Sequence, residues 1–191
     1  MKLQNKFFTL LVIGFLAVCF ASPMAYARKK QSTSEITLQK AKQGDAKAQR
    51  ALGFMYAAGK GVKQDYVEAI KWYRLAAAQG LAQAQYYIGV MYYNGQGVTQ
   101  DYAEAIKWYR LAAAQGDAKA QYNIGFMYYK GQGGTQDYVR AHMWANLAAV
   151  HGGEDAVKNR HELASKMTPQ QLEKAQKMAR VCQATNFKNC D

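Results

Sequence analysis

Three stretches of this chain align without gaps at a period of 36 residues. Gly44 opens GDAKAQRALGFMYAAGKGVKQDYVEAIKWYRLAAAQ, Gly80 opens GLAQAQYYIGVMYYNGQGVTQDYAEAIKWYRLAAAQ and Gly116 opens GDAKAQYNIGFMYYKGQGGTQDYVRAHMWANLAAVH. A fixed period in this range means a stack of like units. One unit cannot bury its apolar face alone, and its neighbours bury it instead. The units divide the chain at 44–79, 80–115 and 116–151.

Each unit reads as two helices. In the first, Ala48, Leu52, Met55 and Tyr56 fall at helical spacing. Gly59 and Gly61 then interrupt the chain at a tight turn. Asp65 stands at an N-cap with Glu68 three residues on, the pattern of a capping box, although Arg140 replaces the glutamate in the third unit. Ala69, Trp72, Tyr73, Leu75 and Ala76 give the second helix its buried stripe, and Gly80 ends it. Ala48, Gly53 and Ala76 are small where two helices approach closely. Only two of the 191 residues are proline and half are apolar. The predicted fold class is all-α, an α/α solenoid of helical hairpins.

The pattern AxAQxxLGxMYxxGxGVxxDYxEAxxWYxxAAxQG resembles the Sel-one-like repeat, a relative of the tetratricopeptide repeat with a longer turn. The resemblance covers residues 44–151. It implies a right-handed superhelix with a concave surface for protein partners. It also implies adaptor roles in protein complexes, and for exported bacterial members contact with envelope or host proteins. Some cysteine-rich exported relatives bind penicillin and have weak β-lactamase activity. They carry a cysteine pair within their repeats, whereas residues 44–151 contain no cysteine. Binding of peptidoglycan fragments or a β-lactam is therefore the alternative function, behind a non-catalytic interaction module.

The ends read differently. Lys2 and Lys6 precede the apolar run Phe7 to Phe20, which is shorter than the roughly 20 residues of a spanning helix. Ala25-Tyr26-Ala27 then supplies small residues for cleavage before Arg28. Residues 1–27 thus read as a bacterial signal peptide, and the product as periplasmic or secreted. Residues 28–33 are expected to be disordered, and residues 34–43 to form a helix that caps the first unit. Beyond the third unit, residues 152–191 are expected to form capping helices. One covers 154–166. The second opens with Thr168 as N-cap and Pro169 at the first helical position, and runs to about Cys182. Export leaves Cys182 and Cys190 as an oxidisable pair, expected to form a disulfide. The alternative, a metal or redox pair, lacks both CxxC spacing and further ligands.

The three units disagree chiefly on one face of the first helix. Arg50, Ala51, Phe54, Ala57 and Ala58 correspond to Tyr86, Tyr87, Val90, Tyr93 and Asn94, then to Tyr122, Asn123, Phe126, Tyr129 and Lys130. Offsets of one, four, seven and eight share a helical face. Scaffold contacts tolerate little change, so this face is expected to line the concave groove. Its aromatic rings are the residue types that anchor interfaces. Arg50, Asn94, Asn123 and Lys130 supply polar contacts. The competing expectation is that individual rings pack between adjacent repeats. His142, Met143, Ala145 and Asn146 mark a second departure, expected to suit the third unit to its cap.

No catalytic arrangement is legible. None of Ser32, Ser34 and Ser165 sits in SxxK or GxSxG. His161-Glu162 begins like HExxH, but Ser165 stands where the second histidine belongs. The repeated Gly-x-Gly lacks the Lys-Ser/Thr of a phosphate loop. Neither a metal, a cofactor nor nucleic acid is expected. The formal charge of +12, two units of which leave with Lys2 and Lys6, reads as a solvated basic surface.

Overall fold

The computed structural model describes residues 23–150, 154–185, 187 and 190, with side chains from residue 33 onward. The described residues form nine helices and no strand. A leading helix, α1 (Pro23–Lys42), is followed by three hairpins: α2 (Ala46–Ala58) with α3 (Tyr66–Ala78), α4 (Ala82–Asn94) with α5 (Tyr102–Ala113), and α6 (Ala118–Lys130) with α7 (Tyr138–Val150). Two further helices follow, α8 (Glu154–Ala164) and α9 (Pro169–Ala184). Each helix from α1 to α7 packs on the next in the chain, and both α8 and α9 pack on α7. The result is an all-α solenoid, closed at one end by α1 and at the other by α8 and α9.

The boundaries follow from local chemistry. Asp45 and Asp117 accept the amides of Ala48 and Ala120 at 2.6 and 2.9 Å and so start α2 and α6. Asp65, Asp101 and Asp137 do the same for α3, α5 and α7 through the amides of Glu68, Glu104 and Arg140. Gly59, Gly95 and Gly131 end α2, α4 and α6 in the left-handed region, at φ of 65°, 68° and 68°. A side chain is strained there, so each unit keeps glycine. Gln64, Gln100 and Gln136 then fold back to donate to the carbonyls of Ala57, Tyr93 and Tyr129 at 2.8, 2.7 and 2.6 Å. Those carbonyls would otherwise be orphans of the last helical turn.

Small residues set the spacing of the stack. Ala69, Ala84, Ala105, Ala112, Ala120 and Ala141 have no solvent exposure. Around them pack Leu52, Ile88, Ile124, Met91 and Met127, each buried large side chain contributing about 1.5–3 kcal/mol. Gly97 marks one close approach between units, since a Cβ there would stand 2.4 Å from the Tyr66 carbonyl oxygen. Repeated hydrogen bonds also cross the units. Arg74 and Arg110 donate to the hydroxyls of Tyr92 and Tyr128, each at 2.8 Å. Within each of the first two units, Gln79 and Gln115 donate to Gln49 and Gln85, each at 2.8 Å.

Several expectations need correction. Helix α1 runs through residues 28–33, where disorder is expected. Residues 1–22 of the expected signal peptide lie outside the described residues. Glu68 and Glu104 do not close a capping box. They pair instead with Lys71 and Lys107 at 2.6 and 2.9 Å. Leu75 is 49% exposed, because it lies on the outer side of α3, where no further helix packs. The full capping box is found at α9, between Thr168 and Gln171 with Pro169 beside it.

Residues His142, Met143 and Ala145 of the third unit are buried and Asn146 is half-buried. Lys71 and Lys107 are solvated at the register that Met143 occupies, and Leu111 is 50% exposed where Leu147 is 1% exposed. The difference is α9, whose Ala175, Ala179 and Cys182 share a core cluster with Met143 and Leu147. Cys182 is bonded to Cys190, which tethers the residues after α9 to its last turn.

Candidate protein-binding face

The divergent positions lie together on α2, α4 and α6, half-buried or exposed. They form two groups. The first centres on Tyr87, whose ring stacks on Tyr73 of α3 with centroids 5.1 Å apart and an interplanar angle of 14°. Tyr87 also meets Tyr86 edge-on at 5.4 Å and Phe54 of α2 at 6.5 Å. Tyr86 leans on Tyr109 of α5 at 5.8 Å, and the Asn123 side chain lies near the hydroxyls of both. Beside these rings Arg50, Gln83, Asp117 and Lys119 join Tyr86 and Tyr87 around an open cleft of about 300 Å³. Phe54, 38% exposed, carries Lys60 over its ring at 5.3 Å.

The second group lies toward the other end of the same helices. Tyr93 packs on Tyr102 at 5.4 Å and Tyr129 on Tyr138 at 5.9 Å, each within its own hairpin. Lys130 stands over both Phe126 and Tyr129, at 5.6 and 5.1 Å. Tyr129 also accepts a 2.8 Å hydrogen bond from Lys166, which pairs with Glu162 at 2.9 Å. The Tyr129 hydroxyl and Glu162 hold the Lys166 ammonium above its usual range. Asn94 is exposed and Tyr122 half-buried. Tyr93 and Tyr129 thus hold hairpins and cap together as well as bordering the face.

Burial pushes the hydroxyls of Tyr73, Tyr86 and Tyr109 upward, and neighbouring tyrosines add to it. Arg50 opposes the rise at Tyr73, and Asn123 opposes it at Tyr86 and Tyr109. These phenols therefore stay neutral near neutral pH. Among the described residues no three His, Cys, Asp or Glu side chains are grouped to hold a metal ion, and no helix is long and apolar enough to cross a membrane.

Divergence between units picks out positions that lie together on α2, α4 and α6, but it leaves out Tyr73 and Tyr109. They are the same in the two units that carry them, so they read as scaffold. Their rings nonetheless support the variable ones, Tyr73 under Tyr87 and Tyr109 beside Tyr86. It also misses Gln83, Asp117 and Lys119, which flank the first turns of α4 and α6 and enter the cleft only through the stacking of units.

The comparisons with known proteins agree with this architecture. The Sel1 repeat model matches residues 46–81, 82–117 and 118–152. A protective antigen present in uropathogenic Escherichia coli strains, displaying an SLR fold, is 43% identical with a TM-score of 0.63. That match covers 64% of this chain but only 26% of the antigen. A Sel1 repeat protein from Oxalobacter formigenes is 40% identical with a TM-score of 0.60, over 67% of this chain and 96% of the other. No curated protein matches. Helical hairpins at a 36-residue period, the recurrent Gly and Asp caps and three matched repeats over more than half of its length place the chain in the Sel1-repeat family, whose members generally mediate protein–protein interactions.

Proposed function

We propose that this chain is an exported, non-catalytic adaptor that holds a segment of a partner protein against the face of α2, α4 and α6. The observation that carries the reading is the cluster of Phe54, Tyr86 and Tyr87 beside Arg50 and Lys119. Rigid aromatic rings, already stacked and only partly covered, provide contact area at little entropic cost. The cations around them orient a partner and speed its encounter. The basic and apolar segments at the start of the sequence support export to the periplasm or beyond, and Cys182–Cys190 suits an oxidising compartment.

Photo-crosslinking tests this in cells of the source organism. A crosslinking amino acid replaces Phe54 or Tyr122 on the face, or the outward Leu75, in the full chain with its leader. Adducts to one protein from positions 54 and 122 but not from 75 are expected. Adducts from 75 alone, or none from the face, overturn the reading. Retention of soluble muropeptides or hydrolysis of a β-lactam by the purified protein, with no protein adduct, favours the envelope-ligand alternative.

A further inference from the structure

A second groove lies between α5 and the turn that joins α6 to α7, with Tyr128 of α6 and Arg140 of α7 beside it. It encloses about 420 Å³ and is lined by Ile106 and Tyr128, by three cations, Lys107, Arg110 and Arg140, and by the turn residues up to Asp137. That volume is in the range of small-ligand and side-chain pockets.

The equivalent junction one unit earlier is a built-in comparison. Eight of the eleven lining positions carry the same residue there, and three differ: Ala103 stands for Val67, Gly134 for Val98 and Arg140 for Glu104. Two of these changes remove bulk and the third inverts a charge. Val98 is half-buried and packs on the cluster that holds Ile70. A Cβ on Gly134 would meet nothing within 4 Å. The consequence is visible in the isoleucines: Ile70 is 3% exposed, whereas Ile106 is only half-buried. The lining carries three cations against one carboxylate. The earlier junction has Lys71 and Arg74 against Asp101 and Glu104.

The cations are held around the groove. Arg110 donates to the Tyr128 hydroxyl at 2.8 Å. Arg140 pairs with Asp137 at 2.6 Å and lies over the Tyr128 ring at 5.8 Å. Lys107 pairs with Glu104 at 2.9 Å. Partly exposed pairs of this kind contribute little, so an incoming carboxylate competes for them.

We propose that this groove is a second recognition site, for an acidic peptide segment of a partner protein that places a carboxylate among Lys107, Arg110 and Arg140 and an aliphatic side chain on Ile106. The chain's +12 charge draws such a segment in. The site draws on α5, the α6–α7 turn, Tyr128 of α6 and Arg140 of α7, and none of its lining residues belongs to the divergent set on α2, α4 and α6.

The test is fluorescence anisotropy on the full chain with a fluorescein-labelled octapeptide of alternating leucine and glutamate. A leucine–lysine octapeptide serves as control. Gly134→Val with Arg140→Glu restores what the second unit carries at two of the three positions, and Gly134 has no positive φ, so the fold accommodates it. Lys47→Glu, at an exposed position on α2, makes the same change in net charge elsewhere. The acidic peptide is expected to bind and the lysine peptide not to. The double variant is expected to bind about tenfold more weakly at unchanged helicity, and Lys47→Glu as wild type. Crosslinks from Phe54 persist in the double variant. Equal loss in both variants means bulk charge attraction and overturns the proposal. Displacement by inorganic phosphate as readily as by unlabelled peptide means a simple anion site and does the same, as does absence of binding.

Discussion

The Tyr73 ring occupies the space that a Cβ on Gly53 would need, with its Cδ1 2.7 Å from that position. The relationship recurs one unit on, where a Cβ on Gly89 would stand 2.6 Å from Cδ1 of Tyr109. Both rings are about 1% exposed. Glycine is therefore kept in mid-helix, where alanine would ordinarily gain about 1 kcal/mol of helix propensity. Gly89→Ala has to displace a buried ring, and overpacking costs about 1–3 kcal/mol. We expect the packing penalty to win, with a net loss of roughly 1–2 kcal/mol in urea unfolding. A stabilised variant would show that the ring yields freely. In the third unit Ala145 replaces the tyrosine, and the helices close until a Cβ on Gly125 would lie 3.1 Å from the Ala141 carbonyl oxygen.

The arginine–tyrosine bonds between units offer a second measurement. Arg74–Tyr92 is exposed and Arg110–Tyr128 is partly buried, at the same 2.8 Å. Water replaces an exposed partner, whereas a shielded donor loses more. Tyr128→Phe is expected to cost about 1 kcal/mol, and Tyr92→Phe less. Equal losses in paired urea melts would mean that burial does not grade these bonds.

The hairpin period, the Asp caps, the Thr168–Pro169 start and the cysteine pair are all legible in the sequence, because each depends on residues close along the chain. Other features depend on the stack. Leu75 belongs to an apolar stripe by spacing, yet it is solvated, and its third-unit equivalent Leu147 is buried only because α9 covers it. Gln64 looks like a solvated turn residue, but it caps a carbonyl seven positions back, across a helix break that no periodicity describes. The tyrosines of the divergent face are visible by type. Their neighbours are not: Tyr93 rests on its own hairpin, Tyr129 on the cap, and Tyr87 on the preceding unit.

The Cys182–Cys190 bond spans eight residues. On the chain-entropy account, closing such a loop contributes roughly 2–3 kcal/mol. The stabilisation acts on α9, which in turn covers Met143 and Leu147. Cys182→Ser with Cys190→Ser is expected to lower the melting temperature and to open residues 154–185 to limited proteolysis before the hairpins are cut. Simultaneous cleavage along the whole chain would show instead that α9 and the repeats unfold as one unit.

His142 makes stability depend on pH. It stands in α7 where the other units carry Ile70 and Ile106, it is 3% exposed, and its Nδ1 lacks a hydrogen-bond partner among the described residues. Burial pushes its pKa below 6.5, and the positive charges of Arg160 and His161 on α8 push it further. The folded state therefore binds fewer protons at this site than the unfolded state. The stabilisation is complete above the unfolded value and declines as pH falls through about 6.5 toward the depressed folded value. Melts by circular dichroism between about pH 7.5 and pH 5 are expected to show a falling melting temperature, in a window above the ordinary carboxylate range. His142→Ile supplies the side chain that the other two units already pack, so it is expected to flatten the profile below neutrality. If the variant keeps the wild-type slope, protonation of this buried imidazole is not what loosens the contact between α7 and α8.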